Sequence, residues 1–266
     1  MPAYELANQA AIVSGAGQGM GRAIAVRLAR EGAAVAVADI DQESATRVAA
    51  EIEAQGGAAM ALQVDVTGRA DTERMVAECA ARFGRLDIMV NNAGVLAVTP
   101  VLELDDRAWD WQMNVNAKGV LYCSQAAARQ MIAQGEGGRI ITIGSTAGKI
   151  PAGKDVPIAG YVASKHAAVG LTKQMALELA RYNILVNCVF PGVVDTEMLQ
   201  VVHGEIARLE GAAEEEVRER AREAIPLGYF QSPEKVANMV AFLCSTDADY
   251  SVGSVFDVTG GAFPYY

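Results

Sequence analysis

One glycine-rich stretch decides the fold, and it reads Ser14-Gly15-Ala16-Gly17-Gln18-Gly19-Met20-Gly21. It follows a short run of small and β-branched residues and opens a longer amphipathic run, at residues 19 to 31. Glycines let a chain turn tightly, and a helix N-terminus presents unpaired N–H groups to an anion. A strand, a glycine-rich turn and a helix in this order predict a dinucleotide-phosphate site, with an ordinary tight turn as the alternative.

The alternation of strand and helix continues along the chain. Strands are predicted at residues 10–14, 33–39, 59–64, 87–91, 139–144, 184–190 and 255–258. Helices are predicted at residues 19–31, 42–55, 69–83, 106–133 and 160–181, and Ser232-Pro233 is typical of the start of a sixth. No linker interrupts this pattern. It therefore predicts one doubly wound (Rossmann) α/β domain over residues 1–266, with a seven-stranded parallel sheet and helices on both faces.

Residues 195–226 stand apart from that rhythm, because their charged stretch, residues 214–223, has few apolar positions. A solvated surface helix would explain the charges. We take the segment as a lid over a substrate cleft, since lids that close on substrates are common in enzymes.

Composition excludes several classes of protein. The 266 residues carry 22 Lys and Arg against 32 Asp and Glu, a net charge of −10, which disfavours nucleic acid as a partner. Apolar residues make up 52%, enough for a large core. Only two histidines and four widely spaced cysteines are present, so we expect neither a metal site nor a disulfide framework. With no leader-like start and no 18-residue apolar run, we expect a cytoplasmic protein without a membrane partner.

The end of the second strand favours one dinucleotide. Asp39 lies where a carboxylate can accept hydrogen bonds from the ribose hydroxyls and repel a 2′-phosphate. Gln18 and Ile40, where a basic side chain would pair with that phosphate, are uncharged. The sequence therefore predicts NAD rather than NADP, unless Asp39 is only a loop or capping carboxylate.

Tyr161 and Lys165 lie four residues apart, on one face of a predicted helix. A phenol is neutral near pH 7, so a phenolate base needs a nearby cation to stabilise it. The pair alone is a weak signal. It has companions in Asn91-Asn92-Ala93-Gly94, Asn116, Ser145 and Pro191-Gly192-Val193-Val194-Asp195-Thr196. In this order they make nearly the whole chain resemble the short-chain dehydrogenase/reductase family, in particular its acetoin/2,3-butanediol and polyol dehydrogenases.

The resemblance implies a role for each motif. Tyr161 would be the catalytic acid/base, Lys165 would stabilise its phenolate and bind the nicotinamide ribose, and Ser145 would orient the substrate oxygen. Asn116 would hold a water that joins Lys165 to solvent, or would only cap an internal break in its helix. The expected contacts with NAD are Gly15, Gln18, Gly19, Met20, Gly21, Asp39, Ile40, Asp65, Val66, Asn92, Ala93, Gly94, Tyr161, Lys165, Pro191, Gly192, Val194 and Thr196.

The resemblance further implies reversible oxidation of a secondary alcohol, a diol, polyol or similar molecule, to a ketone. A 3-oxoacyl-thioester reductase is the alternative enzyme, and a non-catalytic dinucleotide-sensing module is the alternative of another class. The family usually forms tetramers through its two long helices, here 106–133 and 160–181. We expect their alanine-rich stretches at 126–128 and 176–180 to pack between subunits. We also expect Trp109 and Trp111 in the core, and the terminal Phe263-Pro264-Tyr265-Tyr266 near a cleft or a neighbouring subunit.

Two features depart from the family's usual pattern. Sixteen residues separate Ser145 from Tyr161, which is more than usual and implies a longer loop, residues 149–158, beside the cleft. Thr259 stands where an aspartate is commoner, a change that we take as structural.

Overall fold

A seven-stranded parallel sheet forms the centre of the computed structural model, which describes residues 4–262. Its strands are β1 (Ala10–Ser14), β2 (Ala34–Asp39), β3 (Ala59–Gln63), β4 (Ile88–Asn91), β5 (Gly138–Ile143), β6 (Ile184–Pro191) and β7 (Val255–Val258). They are ordered β3-β2-β1-β4-β5-β6-β7, and every neighbouring pair is parallel. The predicted fold class is confirmed.

Nine α-helices connect or flank the strands in the described part of the chain. They are α1 (Gly19–Arg30), α2 (Gln42–Ala54), α3 (Arg69–Phe83), α4 (Asp106–Met113), α5 (Gly119–Gln134), α6 (Ala159–Leu179), α7 (Glu197–Glu210), α8 (Glu214–Glu223) and α9 (Pro233–Cys244). Most agree with the prediction to within one or two residues. The long helix predicted at residues 106–133 is wrong as one continuous element: a π-helical turn, Asn114–Lys118, divides it into α4 and α5.

Both faces of the sheet are covered. In β1, Ala11 and Val13 pack into one core with α1, α2 and α9, whereas Ala10 and Ile12 pack into the other with α3, α5 and α6. Because side chains alternate across a strand and both faces are buried, β1 is apolar without interruption until Ser14.

The strand order reverses between β1 and β4, because β1 pairs with β2 on one side and with β4 on the other. In open parallel sheets, ligands bind outside the carboxyl ends of the strands at such a switch point. The loops after β1, β4, β5 and β6 therefore meet at one edge, and they carry most of the predicted site residues.

Two predictions about packing are wrong. Trp109 and Trp111 are 40% and 47% exposed, because α4 turns Gln112 inward instead. The alanines at 126–128 are buried within this chain, against the sheet, and so is Ala176, so these four are not available to another subunit, whereas Ala180 is exposed. The terminal residues 263–266 lie outside the described residues. Between residues 4 and 262, no helix is long and apolar enough to span a membrane.

Candidate active site

The glycine-rich turn joins β1 to the N-terminus of α1. Gly15 and Gly19 have φ angles of +62° and +54°, a region that favours glycine. A Cβ on Gly21 would lie 2.0 Å from the carbonyl oxygen of Gly15, so no other residue fits there. Gln18 precedes α1 and makes no side-chain capping bond, which leaves the first N–H groups of the helix available to an anion.

Asp39 ends β2 beside this turn. Its Oδ2 accepts a hydrogen bond of 2.7 Å from the Gly17 N–H, and its Oδ1 accepts one of 3.1 Å from Asp41. The carboxylate is half-buried, and the neighbouring Ile40 is 67% exposed. The structure thus brings Asp39 and the glycine-rich turn together at one edge of the sheet.

Asn92 ties the loop after β4 to the same turn. Its Nδ2 donates to the carbonyl oxygens of Ser14 and Gly15, each at 2.9 Å. Both amide hydrogens are therefore used within the protein, and this side chain holds the turn in place. Ala93 follows it, and a Cβ on Gly94 would lie 3.6 Å from the Lys165 Nζ, so this loop runs directly past the amine.

Asp65 and Val66 lie after β3, at the far end of the same edge. Asp65 is exposed, and its Oδ1 accepts hydrogen bonds from the N–H and the hydroxyl of Thr67, at 2.9 and 2.7 Å. Val66 is 8% exposed and packs against Gly119. Asp65 is thus positioned by its own loop, whereas Val66 belongs to the core.

Tyr161, Lys165 and Ser145 come together where β5 meets α6. Lys165 is only 5% exposed; its Nζ donates to the Ile143 carbonyl at 2.9 Å and lies 5.6 Å from the centre of the Tyr161 ring. Ser145 follows β5, and its Oγ accepts from the Ala147 N–H at 3.1 Å. Within residues 4–262 the Tyr161 hydroxyl has no hydrogen-bond partner, and both Tyr161 and Ser145 line one cleft.

Asn116 lies in the π-helical turn and is 1% exposed. Its Oδ1 accepts from the Val95 N–H at 2.8 Å, while its Nδ2 donates to the Val95 carbonyl at 2.8 Å and to the Ser164 Oγ at 2.9 Å. The amide therefore binds the loop after β4 to α6. Both of its hydrogens are used, so a water could bind this side chain only by donating to Oδ1.

The segment after β6 closes the other side of the site. A Cβ on Gly192 would lie 2.9 Å from the Thr259 Cα, so the backbones of these two segments touch and the side chain of Thr259 matters little to that contact. Val194 forms a bridge with Gln231, and Thr196 precedes α7 with its Oγ1 3.4 Å from the Val194 carbonyl. Thr196 also faces the glycine-rich turn, since a Cβ on Gly19 would lie 3.6 Å from its Cγ2.

Comparisons with known proteins agree with this geometry. Residues 9–206 match the family model described as short chain dehydrogenase. The chain belongs to the short-chain dehydrogenase family. It is 39% identical to a sorbitol dehydrogenase of Cereibacter sphaeroides and 38% identical to a diacetyl reductase [(S)-acetoin forming] of Staphylococcus epidermidis, each over 96% of this chain and 98% of the relative. A crystal structure of a short-chain type dehydrogenase/reductase from Mycobacterium marinum superposes with a TM-score of 0.89, at 34% identity and over 97% of both chains.

Family membership confirms the predicted resemblance, and it confirms an enzyme rather than a non-catalytic module. Short-chain dehydrogenases use a nicotinamide coenzyme, and the residues present fit one. The uncapped start of α1 and the space kept open by Gly15, Gly19 and Gly21 suit a pyrophosphate, and the nearby Asp39 carboxylate is of the type that accepts hydrogen bonds from ribose hydroxyls. Between residues 4 and 262 no cluster of three or more His, Cys, Asp or Glu side chains is suited to a metal.

A cleft of about 520 Å³ in this short-chain dehydrogenase is lined by residues of these segments. Ser145 and Tyr161 lie on one wall, and α7, α8 and the loop at residues 149–158 form the opposite one. The elements of this opposite wall have their own small core, in which Ile206 of α7 and Val217 of α8 pack against Val156 of the loop. The charged helix α8 is thus a solvated helix on its outer face and part of the cleft wall on its inner face.

His203 is a polar residue of the cleft that the sequence analysis did not predict. It lies on α7 and lines the cleft, although it is only 4% exposed. The signal that could have found it is the apolar stripe Leu199, Val202 and Ile206, which has helical spacing and includes His203 on the same face.

Proposed function

We propose that this enzyme oxidises a secondary alcohol reversibly to a ketone, with Tyr161 as acid/base and NAD as coenzyme. The observation that carries the proposal is the placement of a free Tyr161 hydroxyl and Ser145 in one cleft beside the glycine-rich turn, with the buried Lys165 amine 5.6 Å from the centre of the Tyr161 ring. The names of its relatives, a sorbitol dehydrogenase and a diacetyl reductase, support alcohols and ketones of the polyol and acetoin kind.

Each of these side chains has a definite task in this mechanism. Tyr161 removes the proton of the substrate hydroxyl during oxidation and returns it during reduction. Lys165 stabilises the phenolate, since its Nζ lies 5.6 Å from the centre of the Tyr161 ring. Unit charges separated by about 5 to 6 Å attract by about 3 kcal/mol at an effective dielectric of about 20. Ser145 donates a hydrogen bond to the substrate oxygen on which negative charge develops. The bound nicotinamide coenzyme would take up or deliver the hydride.

Asp39 supports NAD over NADP. Its carboxylate is held in place by the Gly17 N–H at 2.7 Å, and the neighbouring Gln18 and Ile40 carry no charge to offset it. A 2′-phosphate at this point would meet a fixed negative charge, which is unfavourable.

The same proposal covers the organisation of the chain. Residues 195–226 would act as a lid on a single catalytic domain, because α7 and α8 pack mainly on each other and on the loop at 149–158.

We further propose a homotetramer. Since the alanines at 126–128 and Ala176 are buried, its support comes instead from exposed apolar side chains on or near α4 and α6: Val101, Leu102, Trp109, Trp111 and Leu177. Sedimentation equilibrium tests the tetramer, and a monomer across the micromolar range would contradict it.

Steady-state kinetics test the activity. A panel of diols, polyols, hydroxysteroids and aryl alcohols is assayed with NAD⁺ and with NADP⁺ by absorbance at 340 nm, and each ketone product is identified. We expect turnover of at least one secondary alcohol and a higher kcat/KM with NAD⁺. Tyr161→Phe should lower kcat at least about 100-fold, the usual contribution of acid–base catalysis, while the Kd for NADH changes only a few-fold.

Tyr182→Phe is the matched control, because Tyr182 lies on the turn after α6 and does not line the cleft. Its kcat should equal that of the wild type. If Tyr161→Phe kept more than a tenth of the wild-type kcat, Tyr161 would not be the acid/base. If 3-oxoacyl thioesters were reduced and every alcohol of the panel were left untouched, the proposed substrate class would be wrong.

A further inference from the structure

The wall of the cleft formed by α7 is apolar except at one position. Leu199, Val202 and Ile206 line it, and His203 lies among them. Three charged residues of the lining differ from His203 in exposure or pairing. Lys154 and Asp155 are exposed at the rim, and Arg220 forms an ion pair with Glu210 at 2.6 Å. His203 is therefore the buried polar side chain of this wall.

In the described part of the chain, the imidazole of His203 has no hydrogen-bond partner. Its Nδ1 is buried without one among residues 4–262, although a buried polar nitrogen ordinarily finds a partner. Its nearest aromatic neighbour is Phe230, with ring centres 5.9 Å apart, which contributes packing but no acceptor or donor for a ring nitrogen. Because His203 also lines the cleft, a ligand bound there can supply a hydrogen-bond partner for the imidazole.

The charges around His203 favour a neutral ligand group. Burial lowers the pKa of its imidazole below the usual value, and Arg218 lowers it further, against weaker opposite effects of Glu214 and Asp195. The ring is therefore uncharged near pH 7. A neutral imidazole has one donor and one acceptor nitrogen, and a hydroxyl group can satisfy either.

The position of His203 along α7 sets the reach of that ligand. At a rise of about 1.5 Å per residue, the seven residues from Thr196 to His203 cover about 10 Å of helix. Thr196 is the expected contact of the nicotinamide carboxamide, so His203 lies about 10 Å further along this wall than that contact. The apolar residues between them suit an aliphatic chain.

From these observations, and resting on the proposed function, we infer that His203 is a specificity-determining residue. It binds a second hydroxyl or carbonyl oxygen of the substrate, remote from the alcohol that is oxidised. The substrate class is then a secondary alcohol with an aliphatic body and a further oxygen several carbons away.

Two alcohols with the same carbon skeleton test this inference, hexane-1,5-diol and 2-hexanol, of which only the first has the remote hydroxyl. We expect the wild type to prefer the diol in kcat/KM by about tenfold, the effect of one neutral hydrogen bond whose loss leaves a buried group unpaired. His203→Leu should remove that preference while kcat/KM for 2-hexanol stays within about twofold. His203→Gln, which keeps a donor and an acceptor, should restore part of it.

A binding measurement does not depend on turnover. The chain has only two histidines, so the imidazole ¹⁵N resonances are few and His166→Gln assigns them; His166 is exposed on α6 and outside the cleft. In the enzyme with NADH bound, hexane-1,5-diol should shift the ring nitrogens of His203, and 2-hexanol at the same concentration should shift them much less. Equal shifts with both alcohols, or none with either, would overturn the inference.

The kinetic outcomes separate the two proposals. If His203→Leu lowered kcat/KM for both alcohols by the same factor, or for neither, His203 would have only a structural role or none. Thermal melting identifies a variant that fails to fold, in which case His203→Gln and the resonance shifts decide. If the wild type oxidised no alcohol of the panel at all, the proposed function would fail, and the resonance shifts would still decide whether His203 binds a remote hydroxyl.

Discussion

Replacing Asn116 by alanine should destabilise the enzyme much more than an ordinary surface substitution. The change removes three hydrogen bonds of 2.8 to 2.9 Å, two to the backbone of Val95 and one to the Ser164 Oγ. A hydrogen bond contributes about 1 kcal/mol net, so the free energy of unfolding should fall by about 3 kcal/mol. The loss should not be smaller, because Asn116 is buried and alanine leaves its partners unpaired.

Asn114→Ala is the matched control, since Asn114 lies in the same π-helical turn. Its side chain accepts only a bond of 3.5 Å from the exposed Lys118 amine. Its removal should change the free energy of unfolding by no more than about 0.5 kcal/mol. Both variants are unfolded in urea at one protein concentration, because subunit association would make the apparent stability depend on concentration.

The stability of an Asn116→Asp variant should depend on pH. The new carboxylate can still accept from the Val95 N–H but places its second oxygen against the Val95 carbonyl. Burial and this repulsion disfavour the charged form, so its pKa in the folded state should lie above the unfolded value of about 3.9. The penalty is then largest at high pH and shrinks as the pH falls through the folded pKa, which makes the variant nearer to wild type at pH 5 than at pH 8.

These results would show Asn116 to be a positioning residue that fixes the loop after β4 against α6. A loss below about 1 kcal/mol in Asn116→Ala, with kcat also lowered more than tenfold, would refute that reasoning and favour the predicted role in holding a water. Equal losses in Asn116→Ala and Asn114→Ala would refute it as well, since the disturbance would then come from the turn itself.

Three further predictions follow from other parts of the structure. Gly21→Ala should abolish coenzyme binding in calorimetry, because its Cβ would lie 2.0 Å from the Gly15 carbonyl oxygen. The control Gly204→Ala in α7 meets nothing closer than 3.9 Å and should raise the free energy of unfolding by up to about 1 kcal/mol. Equal behaviour of the two variants would contradict this prediction. Asp39→Asn should raise the ratio of kcat/KM for NADP⁺ to that for NAD⁺ at least tenfold. The reason is that unit charges about 4 Å apart repel by about 4 kcal/mol at an effective dielectric of about 20. An unchanged ratio would show that Asp39 does not select the coenzyme. Burial raises the pKa of the four cysteine thiols, Cys79, Cys123, Cys188 and Cys244, to about 12. A disulfide reagent at pH 8 should therefore react with none of them until guanidinium unfolds the protein. Fast labelling of the native enzyme would contradict their burial.

The sequence by itself determined the elements that depend on local pattern. Short apolar runs predicted the seven strands, because a parallel strand buried on both faces is apolar throughout. The glycines of the first turn predicted a helix start with exposed N–H groups, and the positive φ angles of Gly15 and Gly19 are consistent with that turn. The family resemblance rested on motifs of this local kind and on their order.

The tertiary structure decided what depends on which face of a helix is covered. The pattern of residues 106–133 fits one long helix, but the bonds of Asn116 to Val95 and Ser164 join it to segments that are distant in sequence, and a π-helical turn lies at that point. The same holds for Trp109, Trp111 and the alanines of α5, whose exposure depends on the orientation of α4 and α5 against the sheet.

His203 is the clearest case. In the sequence it is one histidine in an amphipathic run, and its periodicity assigns it to a face of α7 without saying what that face covers. Only the packing of α7 and α8 over the cleft gives it a ligand-facing environment and an unpaired nitrogen. Spacing along the chain reports on the backbone, whereas burial and hydrogen bonding depend on neighbours that fold in from elsewhere.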